Sequence, residues 1–137
     1  MILVSACLAG YRCRYDGKIC PDEAIVDLVK KGEAIPVCPE MMGGLPCPRI
    51  PSERTKDDTH VVTREGGDVT EAFTRGAEET LRMARLYGCE TAILKAKSPS
   101  CGFGEIYDGT FSGTLRPGQG VTAQLLSENG IAVLVKD

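Results

Sequence analysis

The chain has 137 residues and a formal net charge of −3 at pH 7, with 42% hydrophobic and 26% charged residues. This composition excludes an intrinsically disordered chain, and the length predicts a single domain over residues 1–137. The acidic balance argues against a nucleic-acid-binding surface, which needs clustered positive charge. Seven cysteines are the unusual feature, and in a reducing compartment such enrichment favours metal binding or catalysis over disulfides.

The apolar segments are short. The runs Met1–Leu8, interrupted by Ser5, and Ile131–Val135 fall far below the roughly 20 residues that span a bilayer. No basic segment precedes the first run, so it does not have the form of a secretory signal. We therefore expect a cytoplasmic protein that makes no membrane contact.

The first part of the chain predicts a β-α-β unit. The apolar run Met1–Ala6 is typical of a strand buried on both faces. A helix begins at Pro21, with acidic residues in its first turn, and ends before Gly32. Ala34–Val37 is the second strand. The stretch Glu40–Glu53 is rich in glycine and proline and predicts no long regular element.

The second part of the chain adds an edge strand, two helices and two buried strands. A long helix is predicted over about Glu71–Leu86, and Gly76 inside it costs about 1 kcal/mol in helix propensity, which indicates close packing. The other predicted segments are the edge strand His60–Thr63, the strand Thr91–Lys95, the glycine-rich stretch Ser98–Gly120, a helix from there through Leu126 and the strand Ile131–Val135.

This alternation of strands and helices predicts a small three-layer, Rossmann-like α/β fold with a mostly parallel sheet of four or five strands. Ligands bind such sheets outside the carboxyl ends of the strands. Cys7 directly follows the first predicted strand and Cys38 follows the second, while Cys101 lies six residues beyond Lys95 at the end of the third. We therefore expect three thiols to converge at one edge of the sheet.

Three thiols from separate strands favour a soft metal or an iron–sulfur cluster. Structural zinc prefers four protein ligands and catalytic zinc usually has histidine, but His60 lies in a different segment. All-thiolate ligation with a vacant position therefore favours a cluster. Cys13 is a candidate fourth ligand or neighbouring thiol, and Cys47 lies close enough in the chain to be considered. Cys20 and Cys89 fit packing roles.

Polar side chains stand beside these thiols. Glu40 is two residues from Cys38, and Ser98 is three residues before Cys101. A carboxyl group and a hydroxyl at the mouth of a metal site are suited to proton transfer to a bound substrate, although a serine can instead satisfy the backbone of a turn. Three further loop residues are candidates to bind a polar ring: Asp16, Arg49 and Ser100.

Several motifs resemble one bacterial family, long carried as a domain of unknown function, that includes the 2-thiouracil desulfurases. The resemblance runs in order from residue 1 to about residue 135. The motifs are Ser5-Ala6-Cys7-Leu8-Ala9-Gly10, Cys13-Arg14-Tyr15-Asp16-Gly17, Cys38-Pro39-Glu40, Gly43-Gly44-Leu45-Pro46, Gly67-Asp68-Val69-Thr70, Lys97-Ser98-Pro99-Ser100-Cys101-Gly102, Ile106-Tyr107-Asp108-Gly109-Thr110-Phe111 and Gly118-Gln119-Gly120-Val121-Thr122.

The resemblance implies an enzyme that removes sulfur from a thiolated pyrimidine such as 2-thiouracil without redox change, giving the oxo base and hydrogen sulfide. It implies an oxygen-sensitive 4Fe–4S cluster held by Cys7, Cys38 and Cys101, with one open iron for the substrate sulfur. Glu40 and Ser98 would correspond to the acid/base pair of the family. The implied partner is a small thiolated base or nucleoside.

One residue departs from the family pattern. Position 47 is a cysteine where a small hydroxyl or apolar residue is expected, and a thiol that reached the open iron would close the cluster. Two other classes of function remain as alternatives. One is a non-enzymatic metal-binding, iron–sulfur-binding or redox-sensing module. The other is a nucleotide-binding protein, which the absence of a P-loop motif makes the weakest.

Overall fold

The structure, a computed structural model, describes residues 1–137. The strands are β1 (Ile2–Ser5), β2 (Ala34–Val37), β3 (Ser52–Arg54), β4 (Val61–Thr63), β5 (Thr91–Lys95), β6 (Phe103–Tyr107), β7 (Leu115–Gln119) and β8 (Ala132–Lys136). The α-helices are α1 (Glu23–Lys30), α2 (Pro39–Met42), α3 (Thr70–Leu86) and α4 (Val121–Glu128). A 3-10 turn over Ala6–Ala9 follows β1.

Four of the strands form one parallel sheet in the order β2-β1-β5-β8. The chain passes from β1 to β2 on one side and later returns to place β5 on the other side of β1. The remaining strands form two separate antiparallel ribbons, β3-β4 and β6-β7. The strand order therefore reverses at β1, next to β5.

Successive residues of β1 point to opposite faces of the sheet and pack in two different hydrophobic clusters, as expected for a strand buried on both faces. Leu3 packs in a cluster with residues of α3 and α4, including Leu81 and Leu126. Val4 packs in a second cluster with Ile25 of α1. The helices therefore lie in layers on both sides of the sheet, and the predicted three-layer, Rossmann-like α/β fold is confirmed.

The helix α2 contacts α3 with no side chains between the two main chains. A Cβ at Gly43, which ends α2, would overlap the carbonyl oxygen of Ala72 in α3. A Cβ at Gly76 would overlap the carbonyl oxygen of Pro39, the first residue of α2. The close packing predicted from Gly76 is therefore present, and it fixes the segment that carries Cys38 and Glu40.

The structure differs from the sequence-based predictions in the irregular segments. The stretch Glu40–Glu53 contains most of the helical turn α2 and the start of β3, and the glycine-rich stretch Ser98–Gly120 contains the ribbon β6-β7. The strand predicted at His60–Thr63 exists as β4, but it pairs with β3 outside the main sheet. No helix combines the length and apolarity needed to cross a membrane.

Candidate active site

A cavity of about 440 Å³ lies at the carboxyl end of the parallel sheet. Its lining includes residues that follow β1, β2, β5 and β8: Cys7, Cys38, Ala96 and Asp137. It opens beside β1, where the strand order reverses, which is the usual ligand position in Rossmann-like sheets. The cavity therefore lies at the sheet edge where the sequence predicts a ligand site.

Four thiols line this cavity: Cys7, Cys13, Cys38 and Cys101. Cys7 lies in the turn after β1 and Cys38 directly follows β2. Cys101 is 6% exposed and Cys13 is also 6% exposed. The structure thus brings the three predicted cysteine ligands to one cavity and places Cys13 among them.

The thiols influence one another electrostatically. Hydrogen bonding with the Cys13 side chain lowers the pKa of Cys7 and that of Cys38. Hydrogen bonding with the Cys38 and Cys7 side chains raises the pKa of Cys13. Burial raises the pKa of Cys101 to about 12. Such a buried thiol loses its proton when a cationic centre binds it.

The other three cysteines do not line the cavity. The Cys47 Sγ lies 2.9 Å from the carbonyl oxygen of Arg12 and 3.0 Å from that of Arg14, so its single S–H can donate to either carbonyl. Cys20 donates to the carbonyl oxygen of Cys7, and Cys89 is buried in the core. The Cys47 thiol therefore contacts backbone carbonyl oxygens and does not line the cavity with the other four thiols.

The predicted carboxyl group lies in the cavity wall and is paired with a buried arginine. Glu40 is the second residue of the helical turn α2, and its Oε2 accepts a hydrogen bond from Arg49 Nη2 at 2.8 Å. The Arg49 side chain is 6% exposed and also donates to the carbonyl oxygens of Pro46 and Cys13. Arg49 therefore fixes both Glu40 and the backbone beside the Cys13 thiol.

Ser98 also lines the cavity, and it makes a turn contact as well. Its Oγ accepts a hydrogen bond from the backbone N–H of Cys101 at 2.7 Å. The turn is held against the start of α4, where the N–H groups of Val121 and Thr122 donate to the carbonyl oxygens of Pro99 and Ser100. Because the Ser98 oxygen acts as acceptor in this turn, its O–H remains able to donate into the cavity.

Two of the predicted substrate-binding residues do not line the cavity. Asp16 pairs with Arg14 and accepts the backbone N–H of Lys18. Ser100 is buried and hydrogen-bonds with the Thr122 hydroxyl at 2.9 Å. The structure gives no support to substrate binding by these two side chains, whereas Arg49 does line the cavity.

One wall of the cavity, formed by the two antiparallel ribbons, was not predicted from the sequence. The ribbons β3-β4 and β6-β7 contribute this hairpin wall, which consists of Ser52, Glu53, Arg64, Tyr107, Phe111 and Gly113. The signal for it was the family-like motif Ile106–Phe111, whose aromatic residues were not singled out. Lys95, at the end of β5, also lines the cavity and lowers the pKa of Cys7 to a smaller extent than Cys13 does.

The donor set fits an iron–sulfur cluster. The lining contains four thiols and no histidine, and His60 is more than half exposed beside Asp68. No three His, Cys, Asp or Glu side chains are placed to hold one metal ion. The cysteines of a cubane cluster bind different irons and therefore stand further apart than the ligands of a single ion. All-thiolate donors around a cavity are what such a cluster requires.

Comparison with known proteins decides the family. A family model described as 2-thiouracil desulfurase matches residues 2–137. The chain belongs to the 2-thiouracil desulfurase family. This confirms the resemblance carried by the cysteine, glycine and serine motifs.

Two relatives extend this assignment. The chain is 46% identical over 142 residues to the uncharacterized protein YbbK of Bacillus subtilis (strain 168), and the match covers 98% of this chain and 94% of YbbK. It is also similar to the solved structure of the 4Fe–4S-dependent thiouracil desulfidase TudS. That match has a TM-score of 0.92 and 46% identity, and it covers 99% of this chain and 90% of TudS.

Proposed function

We propose that this protein is an iron–sulfur-dependent enzyme that converts a thiolated pyrimidine such as 2-thiouracil to the oxo base and hydrogen sulfide. The observation that carries the proposal is the single cavity lined by four thiols, a carboxylate and a hydroxyl. Membership of the 2-thiouracil desulfurase family and the similarity to TudS support it.

Three of the thiols are suited to hold a 4Fe–4S cluster. We assign the ligands as Cys7, Cys38 and Cys101, because each lies in a segment that follows a strand of the parallel sheet and is fixed by it. When bound, such a cluster with one iron free of protein ligands supplies a Lewis acid for the sulfur of the substrate. Cys13 then remains as a neighbour of two of the proposed ligands.

Glu40 is the group best placed to move the proton of an attacking water. Its Oε2 is held by Arg49 at 2.8 Å, while its Oε1 makes no hydrogen bond with the protein. A carboxylate that is fixed at one oxygen and free at the other can accept a proton without reorienting. The guanidinium of Arg49, which is 6% exposed, keeps the carboxylate at the cavity wall.

Ser98 is suited to donate a hydrogen bond to the ring or to the leaving sulfur. Its oxygen is held by the backbone N–H of Cys101, so the hydroxyl has a fixed position and its hydrogen has a free direction. A fixed donor costs little reorganisation when charge develops during the reaction. The same turn positions both Cys101, the proposed cluster ligand, and Ser98, the proposed hydrogen-bond donor. A displacement of this turn would therefore move both side chains.

The free thiols and the size of the cavity fit an enzyme that acts on a small substrate in a reducing compartment. All seven cysteines are free thiols, which suits the cytoplasm, where thiols remain reduced. A cavity of about 440 Å³ is in the range that holds small molecules, so we propose a free base or nucleoside as substrate. Residues 1–137 act as one unit, because the sheet and both ribbons contribute to the same cavity.

The test is to prepare the protein anaerobically and measure its iron and sulfide content and its release of sulfide from 2-thiouracil. We expect about four irons and four sulfides per chain and turnover to uracil. Glu40→Gln retains the Arg49 contact and loses the base, so it should keep the cluster while kcat falls about a hundredfold.

Three outcomes would contradict different parts of the proposal. Stoichiometric zinc in place of iron would exclude the cluster. A full cluster without sulfide release from 2-thiouracil, 4-thiouracil or their nucleosides would leave a non-enzymatic iron–sulfur protein. Loss of iron in Glu40→Gln would assign that residue a structural role instead of a catalytic one.

A further inference from the structure

The β6-β7 ribbon brings an aromatic ring to the cavity on a strained backbone. Phe111 lines the cavity and has a φ of 56°. Left-handed φ values are unfavourable for a bulky residue, and they persist only where the surroundings impose them. Gly109 and Gly113, on either side in the same loop, have positive φ values without this cost. The surrounding structure therefore holds the backbone of Phe111, and with it the ring, in a conformation that phenylalanine rarely adopts.

A buried carboxylate imposes this conformation. Glu53 in β3 is 8% exposed, and its Oε1 accepts the backbone N–H of Phe111 at 3.0 Å and that of Gly109 at 2.9 Å. The loop is also tied internally, since Asp108 Oδ1 accepts the N–H and the hydroxyl of Thr110. The Glu53 side chain in β3 thus fixes the loop that connects β6 and β7.

We propose that the Phe111 ring is the stacking platform for the pyrimidine ring of the substrate, and that Glu53 is the positioning residue that holds it there. The proposal rests on the proposed function, which supplies a planar base as ligand. Phenylalanine has no polar group in its side chain, so it can bind a base only through contact with the face or the edge of its ring. Aromatic faces bind bases of any sequence by stacking.

The ring is also the least exposed aromatic group at the cavity. The other two are Tyr15, which is 45% exposed, and Tyr107, which is 37% exposed. Both are exposed to solvent, whereas Phe111 is half-buried. The thiols line the same cavity as Phe111, so we expect a base stacked on this ring to lie in the cavity that would hold the cluster.

The experiment compares four variants of the cluster-loaded protein in steady-state assays with 2-thiouracil and in calorimetry with uracil. Phe111→Ala and Phe111→Gly should raise KM and the uracil Kd about tenfold, with kcat changed less than twofold. Phe111→Gly also relieves the backbone strain, so its melting temperature should not fall. Glu53→Ala should show the same KM increase, whereas Glu53→Gln keeps an acceptor and should stay within threefold of the parent protein.

A tenfold loss of uracil affinity in both Phe111 variants, with unchanged iron content, supports the proposal. Unchanged KM and uracil Kd in Phe111→Gly would overturn it, and so would a fall in kcat alone, which indicates only exclusion of water. If the parent protein releases no sulfide, the proposed function fails, and the uracil Kd of the Phe111 variants still decides the stacking role. Absence of uracil binding by the loaded parent protein would overturn the stacking platform itself.

Discussion

The two walls of the cavity are held in place by different kinds of contact. The wall that carries the thiols rests on main-chain contacts: Gly43 and Gly76 join α2 to α3, and a Cβ at Gly120 would overlap the backbone of Ser100 beside Cys101. The hairpin wall rests on charged side chains. Arg54 donates to the carbonyl oxygen of Gln119 at 2.7 Å, and Arg116 pairs with Asp58 at 2.6 Å.

The two kinds of contact suit two different functions, holding the cofactor ligands and binding the substrate. Main-chain contacts in a core tolerate almost no displacement, which suits segments that must hold several ligands around one centre. A charged contact that reaches the surface, such as the pair of Arg116 with the half-exposed Asp58, contributes little individually, so we expect this part of the ribbons to change without unfolding the sheet. We therefore expect variants of the thiol wall to alter cofactor content and stability, and variants of the hairpin wall to alter substrate affinity.

The largest effect is expected at the proposed ligands. Cys7→Ala, Cys38→Ala and Cys101→Ala should each abolish retention of iron, because three thiolates are needed to hold a cluster with one open iron. Iron and sulfide analysis of anaerobic protein measures this. Cys89→Ala, a buried cysteine away from the cavity, is the matched control and should keep full iron. Iron loss in Cys13→Ala combined with retention in Cys7→Ala would exchange those two assignments.

An intermediate effect is expected at the contact between α2 and α3. Gly76→Ala places a methyl group on the carbonyl oxygen of Pro39 and should lower the free energy of unfolding by about 3 kcal/mol. Because the displaced turn carries Glu40, kcat should fall as well. Urea denaturation provides the measurement, and Thr74→Ala at an exposed position of the same helix should change stability by less than about 0.5 kcal/mol. Equal stability of both variants would refute the main-chain contact.

The smallest effect is expected in the hairpin wall. Arg116 donates to the carbonyl oxygen of Thr55 and pairs with the half-exposed Asp58. Arg116→Ala should lower the free energy of unfolding by about 1 kcal/mol and leave the iron content unchanged. Arg82→Ala removes an exposed pair with Glu79 and serves as control. Loss of iron in Arg116→Ala would show that the two walls are not independent.

The same division explains what could be predicted from the sequence. Buried strands have continuous apolar runs such as Thr91–Lys95, so the sheet and the convergence of Cys7, Cys38 and Cys101 followed from pattern and topology. The strand β7 has the sequence Leu-Arg-Pro-Gly-Gln. It has no apolar alternation, and its proline and glycine argue against a strand. The ribbon β6-β7 and the pairing of the predicted strand β4 with β3 were therefore missed, together with the proposed roles of Glu53 and Phe111.

Other site contacts depend on packing that no local pattern encodes. The ion pair of Arg49 with Glu40 spans an irregular segment, and its formation depends on how that segment folds back over the Cys13 carbonyl. Ser100 shows the opposite case: its position beside Cys101 indicated a binding role, but its side chain is buried against Thr122. Proximity in the chain identified the neighbourhood of the site more reliably than the direction of each side chain.

The contact between Gly43 and Gly76 has a consequence for the timing of catalysis. With main chain against main chain, no rotamer change can let α2 slide on α3, and the turn moves only if the whole helix moves with it. We therefore expect Glu40, the proposed base, to be positioned when the protein folds and not when substrate arrives. The entropy of aligning this group is lost once per folding event rather than once per turnover.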